Sequence, residues 1–374
     1  MTEGTSGGGL GRPAQAPSVR SDQAGGEPPC YAALDLGTNN CRLLIAAPAR
    51  EGFRVVEAFS RIVRLGDGLS RTGRLDALAM DRALSALSIC AERLRRRRPF
   101  KVRAVATQAC RIAENGPAFV ERVAEETGIR LDVITPREEA RLSVAGCANL
   151  LDRSYDAALV VDVGGGSTEL SWVDLSAASG GRIAPGAWLS IPAGVVTLAE
   201  RFPEDATASQ AWYGAMVEHI RGHITAFHMA DRFRPVFEAR RAHLIGTSGA
   251  ITSLAGLHLG LRRYERSRVD GLWLVDADCD AAAERLIGLG PQGRAAEPCI
   301  GPDRADLVLA GAAILRAVQD TWPCERVRVA DRGLREGILL SMMAEGASGG
   351  RRKRRRRRSR PAVRPEAVAA TPAE

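Results

Sequence analysis

Residues 158–170 read ALVVDVGGGSTEL. An apolar run carries Asp162 to its end, three glycines follow, and Ser167, Thr168 and Glu169 open what reads as a second strand. Glycine adopts φ > 0 at little steric cost, so successive backbone N–H groups can converge on an anion as a nest. The pattern predicts a strand–turn–strand clamp of phosphate size, with Gly164, Gly165 and Gly166 as its floor and Ser167 and Thr168 as hydroxyl donors. Two commoner phosphate loops are excluded. A P-loop needs GxxxxGK[ST], and the only lysines are Lys101, opening a predicted strand, and Lys353, in a basic tail. A dinucleotide fingerprint needs GxGxxG at the head of a helix, whereas Ser167–Val173 alternates like a strand.

The same plan occurs earlier. YAALDLGTNNCRLLIA (31–46) is again strand, aspartate, tight turn with a hydroxyl, strand. Asp35, Gly37, Thr38 and Asn39 would form the other half of the clamp. Between and after the two copies, strands are predicted at 53–62, 101–107, 129–135 and 242–246. Helices are predicted at 76–98, 116–128, from Pro136, and at 193–202, 206–230, 249–258 and 303–320. Strands joined by crossover helices imply α/β sheets covered by helices. The expected division is a leader (1–29), a first domain (30–150), a second domain (151–345) and a tail (346–374), with both termini disordered by composition.

The net charge of +8 is local. Residues 351–374 hold ten basic and two acidic residues, which leaves 1–350 with 42 of each sign. The arginine run RRKRRRRRSRP (351–361) is either a solvated terminus or a non-specific polyanion contact. Eight cysteines without CxxC spacing fit buried thiols better than a disulfide or zinc framework. No apolar run is long enough for a membrane span, and the leader lacks a signal-peptide core, so a cytoplasmic protein without a membrane partner is expected. His219 and His223 are four apart but lack a third ligand and the HExxH pattern, so they read as a surface pair.

DLGTNNCRLLIA, ATQACRIAEN, TPREEARLSVAG, VVDVGGGSTEL and GTSGAITSLAG occur in this order, and together they resemble the exopolyphosphatase/guanosine pentaphosphate phosphatase (Ppx/GppA) family over about residues 31–345. The resemblance implies two ribonuclease-H-like domains facing across a cleft, in a short two-domain form. It also implies Mg²⁺-dependent hydrolysis of a terminal phosphoanhydride, on polyphosphate or on pppGpp. Glu139 aligns with the family's catalytic glutamate, which activates the attacking water, and Glu169 with a group near the metal or the water. Arg111, in ATQACR, is the countercharge for phosphate oxygens. Gly246, Ser248 and Gly249 would meet the nucleotide or the phosphate chain, or else merely cap a helix.

Elementary chemistry adds to this. Asp162, at a strand end, is expected to hold Mg²⁺ with retained waters and substrate oxygens, and Glu169 is assigned jointly to the metal. Thr135, Pro136 and Glu138 form a capping-box signature that leaves Glu139 free. The helix N-terminus is expected to favour its ionised form, as a general base requires. Three functions compete. An exopolyphosphatase is preferred; a pppGpp phosphohydrolase shares the clamp; a non-catalytic polyphosphate or alarmone sensor would not need Glu139. A kinase of the same fold is disfavoured by the pairing of EEAR with DVGGGSTE. Oligomeric state is open, a homodimer included.

Overall fold

The computed structural model describes residues 29–176, 183, 185–204, 210–227 and 230–358. The leader 1–28 and the segment 359–374 lie outside the described residues. β1 (Tyr31–Leu36), β2 (Asn40–Pro48), β3 (Phe53–Ile62), β4 (Lys101–Ala106) and β5 (Asp132–Val133) form one sheet, ordered β3-β2-β1-β4-β5. β6 (Ala157–Val163), β7 (Thr168–Asp174), β8 (Ala187–Ile191), β9 (Ala242–Thr247), β10 (Trp273–Val275) and β11 (Arg326–Ala330) form the other, ordered β10-β11-β9-β6-β7-β8. Without the edge strand β10 the two orders coincide. Each is an antiparallel three-stranded meander followed by two parallel strands. These are the two ribonuclease-H-like domains expected. β1 and β6 are nearly continuous apolar runs because both faces of each sheet are covered by helices.

The predicted helices at 76–98 and 116–128 are observed as Ala77–Arg97, capped by the Asp76 side chain, and Gly116–Thr127, closed by Gly128 at φ +74°. The strand predicted at 129–135 shrinks to the two residues of β5. The helix predicted at 303–320 begins only at Val308 and ends at Thr321. That predicted at 206–230 is observed as Gln210–Thr225, with 205–209 and 228–229 outside the described residues. Helix Asp276–Ala296 escaped the sequence because Gly290 and Pro291 interrupt its pattern; Gly290 leaves helical geometry at φ +61°.

The core does not divide at residue 150. Helices Ala77–Arg97 and Gly116–Thr127 pack on the outer face of the first sheet around Leu34, Leu43, Leu87 and Phe119. Its inner face is covered by the last helix, Leu334–Arg358, through Ile338, Leu339 and Met342 against Ala33, Leu44 and Val105. Helix Pro136–Cys147 presents Val144 and Cys147 to Val160 and Ile245 of the second sheet. The strands of the first sheet lie within 30–150 and those of the second within 151–345, while these two central helices each pack on the sheet formed by the other segment. The last helix also continues past residue 345, with its backbone helical to Arg358.

Candidate active site

The two predicted turns have one construction. In the first, the Gly37 N–H donates to the Asn40 carbonyl at 2.8 Å; in the second, Gly164 N–H donates to Ser167 carbonyl at 2.9 Å. The carbonyls between are held from outside. Gly66 N–H donates to Thr38 and Val63 N–H to Asn39, while Val195 and Val196 N–H donate to Gly164 and Gly165 at 3.0 and 2.7 Å. With its carbonyls turned outward, the glycine run keeps the N–H groups of Gly165 and Gly166 without an acceptor among the described residues. These are the donors an anion requires.

The glycines have a second reason. A Cβ on Gly165 would stand 3.0 Å from the backbone nitrogen of Asn39, and one on Gly166 would stand 1.9 Å from Gln108 Oε1. The turn of the second domain thus lies directly against that of the first. The close approach implied by three glycines is made to the opposite domain.

Between the turns is a cavity of about 470 Å³. Asp35, Gly37, Thr38, Asn39, Glu139, Asp162, Gly164, Gly165, Gly166, Ser167, Ser248 and Gly249 all line it. Four predicted residues do not. Thr168 is fully buried, and its hydroxyl donates to the Ala193 carbonyl at 2.8 Å, so it is a strut of the fold. Gly246 lies inside β9 against Ile251 and Val327. Glu169 and Arg111 stand just behind the wall. Ser248 is on the wall, but its hydroxyl accepts from the Ala250 and Ile251 N–H groups at 3.2 Å each, which is capping chemistry.

Glu139 sits in the first turn of helix Pro136–Cys147, whose N-cap, Thr135, accepts from Glu138 N–H at 3.2 Å. Only half of the capping box forms, because the Glu138 carboxylate turns to Arg103 at 2.7 Å. Glu139 is buried, and Arg111 Nη1 approaches its Oε2 at 3.3 Å while donating to the Ile134 carbonyl at 2.7 Å. Its carboxyl is nevertheless raised well above the ordinary value, by burial first and by Glu169 second, with Arg111 opposing. The expectation that the helix N-terminus would secure the ionised form fails here: desolvation and neighbouring carboxylates outweigh it.

Asp162 accepts from the Ser143 hydroxyl, and burial pushes its carboxyl to about 6. Glu169 faces it directly across the β6–β7 hairpin, accepts from Ser190 Oγ at 2.9 Å, and is pushed to about 7 by burial and by Asp162. At the equivalent position of the first hairpin, Asp35 faces Arg42. Asp35 is also raised by burial, against Arg42 and Arg335, and its buried Oδ1 has no hydrogen-bond partner among the described residues. A hard divalent cation fits this carboxylate-lined cavity. Among the described residues, however, no three acidic, His or Cys side chains converge closely enough to hold a metal alone. A cation here needs water and substrate oxygens, as Mg²⁺ typically does. His219 and His223 meet edge to face at 5.0 Å and belong to no such group.

Four arginines on the cavity wall were missed by sequence reasoning: Arg332, which is ion-paired to Asp270, and three others, Arg42, Arg304 and Arg335. A Cβ on Gly249 would stand 3.8 Å from both Arg304 Cζ and Arg42 Nη2. None of these three has an ion-pair partner among the described residues. Only Arg42 left a sequence signal, since hairpin register places it on the face of Asp35. Arg304 and Arg335 arrive from loops and helix ends that no local pattern connects to the turns.

The model of the Ppx/GppA phosphatase family matches residues 44–345. "Exopolyphosphatase 2" of Mycobacterium tuberculosis is 32% identical over 324 residues, covering 83% of this chain and 98% of that protein. The crystal structure of the Aquifex aeolicus member of the Ppx/GppA family superposes with a TM-score of 0.69 at 26% identity, covering 85% of this chain and 98% of the other. An exopolyphosphatase from Cytophaga hutchinsonii shares the fold with a TM-score of 0.73 at 23% identity, covering 84% and 98%.

Proposed function

The chain belongs to the Ppx/GppA phosphatase family, and we propose that it is an exopolyphosphatase, releasing phosphate from the end of polyphosphate with Mg²⁺. The observation that carries this reading is the joint wall of one cavity: two anion-ready turns, three arginines without an ion-pair partner among the described residues, and the buried Glu139 held by Arg111. The naming of the mycobacterial relative as an exopolyphosphatase favours polyphosphate among family substrates.

The terminal phosphate is taken between the turns, with the Gly165 and Gly166 N–H groups and Arg42 on its oxygens. Glu139 accepts a proton from the attacking water as the terminal P–O bond of the anhydride breaks. Arg111 holds the Glu139 carboxylate and offsets part of the field that raises its pKa. Asp162 and Asp35, whose Oδ1 has no hydrogen-bond partner among the described residues, are the residues that would hold Mg²⁺, which supplies charge neutralisation on the phosphate oxygens. Glu169, behind Asp162, then serves in the second row rather than as a direct ligand.

A pppGpp phosphohydrolase is the second reading. Tyr264, Ile300, Leu307 and Val308 give part of the wall an aromatic and apolar character suited to a nucleoside. Phosphate release with Mg²⁺ from polyphosphate, pppGpp and ATP, measured side by side, separates the two. Faster release from polyphosphate is expected; faster release from pppGpp would transfer the assignment, and none from any would leave a sensor.

A further inference from the structure

The arginine run does not point toward the cavity. The last helix begins there, with Arg335 on the wall, and passes down the inner face of the first sheet. By Glu345 and Gly346 it has reached the opposite edge. Glu345 pairs with Lys101 at 2.7 Å, and a Cβ on Gly346 would stand 2.8 Å from the Tyr31 hydroxyl. Tyr31 and Lys101 open β1 and β4, whereas Asp35 and Thr107 lie at the catalytic ends. At about 1.5 Å per residue, Arg351 is roughly 24 Å along the helix from Arg335, and the run to Arg358 moves further off.

The arm emerges beside a second basic cluster. Helix Ala77–Arg97 ends at this same edge in the consecutive arginines Arg95–Arg98, all exposed. Glu57 pairs with Arg93, Arg96 and Arg97, at 2.7 to 3.1 Å. Arg95 and Arg98 have no ion-pair partner among the described residues. Between the cluster and Lys101 stands Phe100, 70% exposed, its ring edge-on to Tyr31 at 5.7 Å.

We infer that this back edge is a nucleic-acid-binding surface separate from the catalytic cavity. Its arginines take backbone phosphates, and the Phe100 ring offers a face for an unpaired base. The exposed aromatic decides between polyanions, because polyphosphate has no face to stack.

The test is fluorescence anisotropy of the full chain with a labelled single-stranded oligouridylate of about 30 nucleotides, at roughly 0.15 M salt, with unlabelled polyphosphate of matched charge as competitor. Deletion of 351–358 and the pair Arg95→Ala/Arg98→Ala should each weaken binding at least about tenfold and flatten its salt dependence. Phe100→Ala should weaken oligouridylate several-fold and leave polyphosphate affinity unchanged. No binding by the intact chain would overturn the inference, as would a Phe100→Ala variant with unchanged oligouridylate affinity. Equal weakening of both ligands by Phe100→Ala would also overturn it, by making the edge a general polyanion site. Binding is read directly, so the result stands whether or not the cavity hydrolyses polyphosphate.

Discussion

Glu139 is asked to be a base in surroundings that hold its proton on. Burial and Glu169 raise it, and Arg111, at 3.3 Å, is the one cation in contact with it among the described residues. Glu139→Gln keeps the shape and removes the proton acceptor, so turnover should fall by about 10²–10⁴-fold with substrate affinity little changed; steady-state kinetics with a binding assay on the same variant checks both, and unchanged turnover would remove Glu139 from the reaction. Glu169 gives the pH counterpart. Its carboxyl, ordinarily at 4.5, is pushed to about 7 in the fold, so between those values the folded chain binds more protons than the unfolded one. Its contribution therefore favours folding at low pH and is lost as pH rises from about 4.5 through 7. The upper bound is about 3 kcal/mol, at 1.36 kcal/mol per unit. Glu169→Gln should make the chelator-treated protein more stable at pH 8 by about 1–3 kcal/mol and leave it nearly unchanged at pH 4. Urea unfolding at the two pH values reads this out; equal effects at both would deny the burial argument. The aspartates and the glycine turn were legible because their chemistry is contained in a few consecutive residues. Arg304 and Arg335 were not, because only tertiary packing brings them to the same wall.

At the scale of elements, the sequence disclosed the two hairpins through their repeated strand–Asp–turn plan, yet it hid how the central helices meet. Helix Pro136–Cys147 and helix Leu334–Arg358 cross at glycines. A Cβ on Gly337 would fall 1.9 Å from the Leu142 carbonyl oxygen, and one on Gly146 the same distance from that of Gly333. Neither glycine has a positive φ, so no turn signal marked them; what they supply is contact between backbones. Leu142 lies on the helix that presents Glu139, so the contact also sets where the proposed base stands. Gly337→Ala must push the helices apart, at a cost of about 1–3 kcal/mol for an overpacked contact. The accompanying shift of Glu139 should lower turnover at least tenfold, since small misplacements of reacting groups are costly. A fully active, fully stable Gly337→Ala protein would show that the crossing does not position the site.

Across the whole molecule, the cleft is clasped at one side by the segment after β3. Arg64 grips both oxygens of Asp306 at 2.8 and 2.9 Å and donates to the Asp303 carbonyl at 3.2 Å. Glu200 accepts from Gly68 N–H at 2.7 Å and from the Ser70 hydroxyl at 2.5 Å. All of these bonds join the first domain to the second, and the covalent and helical connections lie elsewhere, so they act on the opening of the cleft rather than on either core. Arg64 and Asp306 are 30% and 50% exposed in their side chains, which limits the pair to about 0–1 kcal/mol. That is too little to change global unfolding much. It is enough to shift an open–closed ratio about fivefold, because 1.4 kcal/mol is a factor of ten. Arg64→Ala should therefore leave the urea midpoint nearly unchanged while speeding hydrogen exchange at Gly37–Asn40 and Gly164–Ser167, the turns that face each other. The Michaelis constant for polyphosphate should rise more than turnover falls, because the clasp favours the closed cleft that grips substrate rather than the chemical step. High salt should bring the intact chain toward the variant, as it does for exposed pairs. If exchange at the two turns is the same in both proteins, the domains are held closed by the glycine contact of the turns themselves, and the clasp is ornamental to closure.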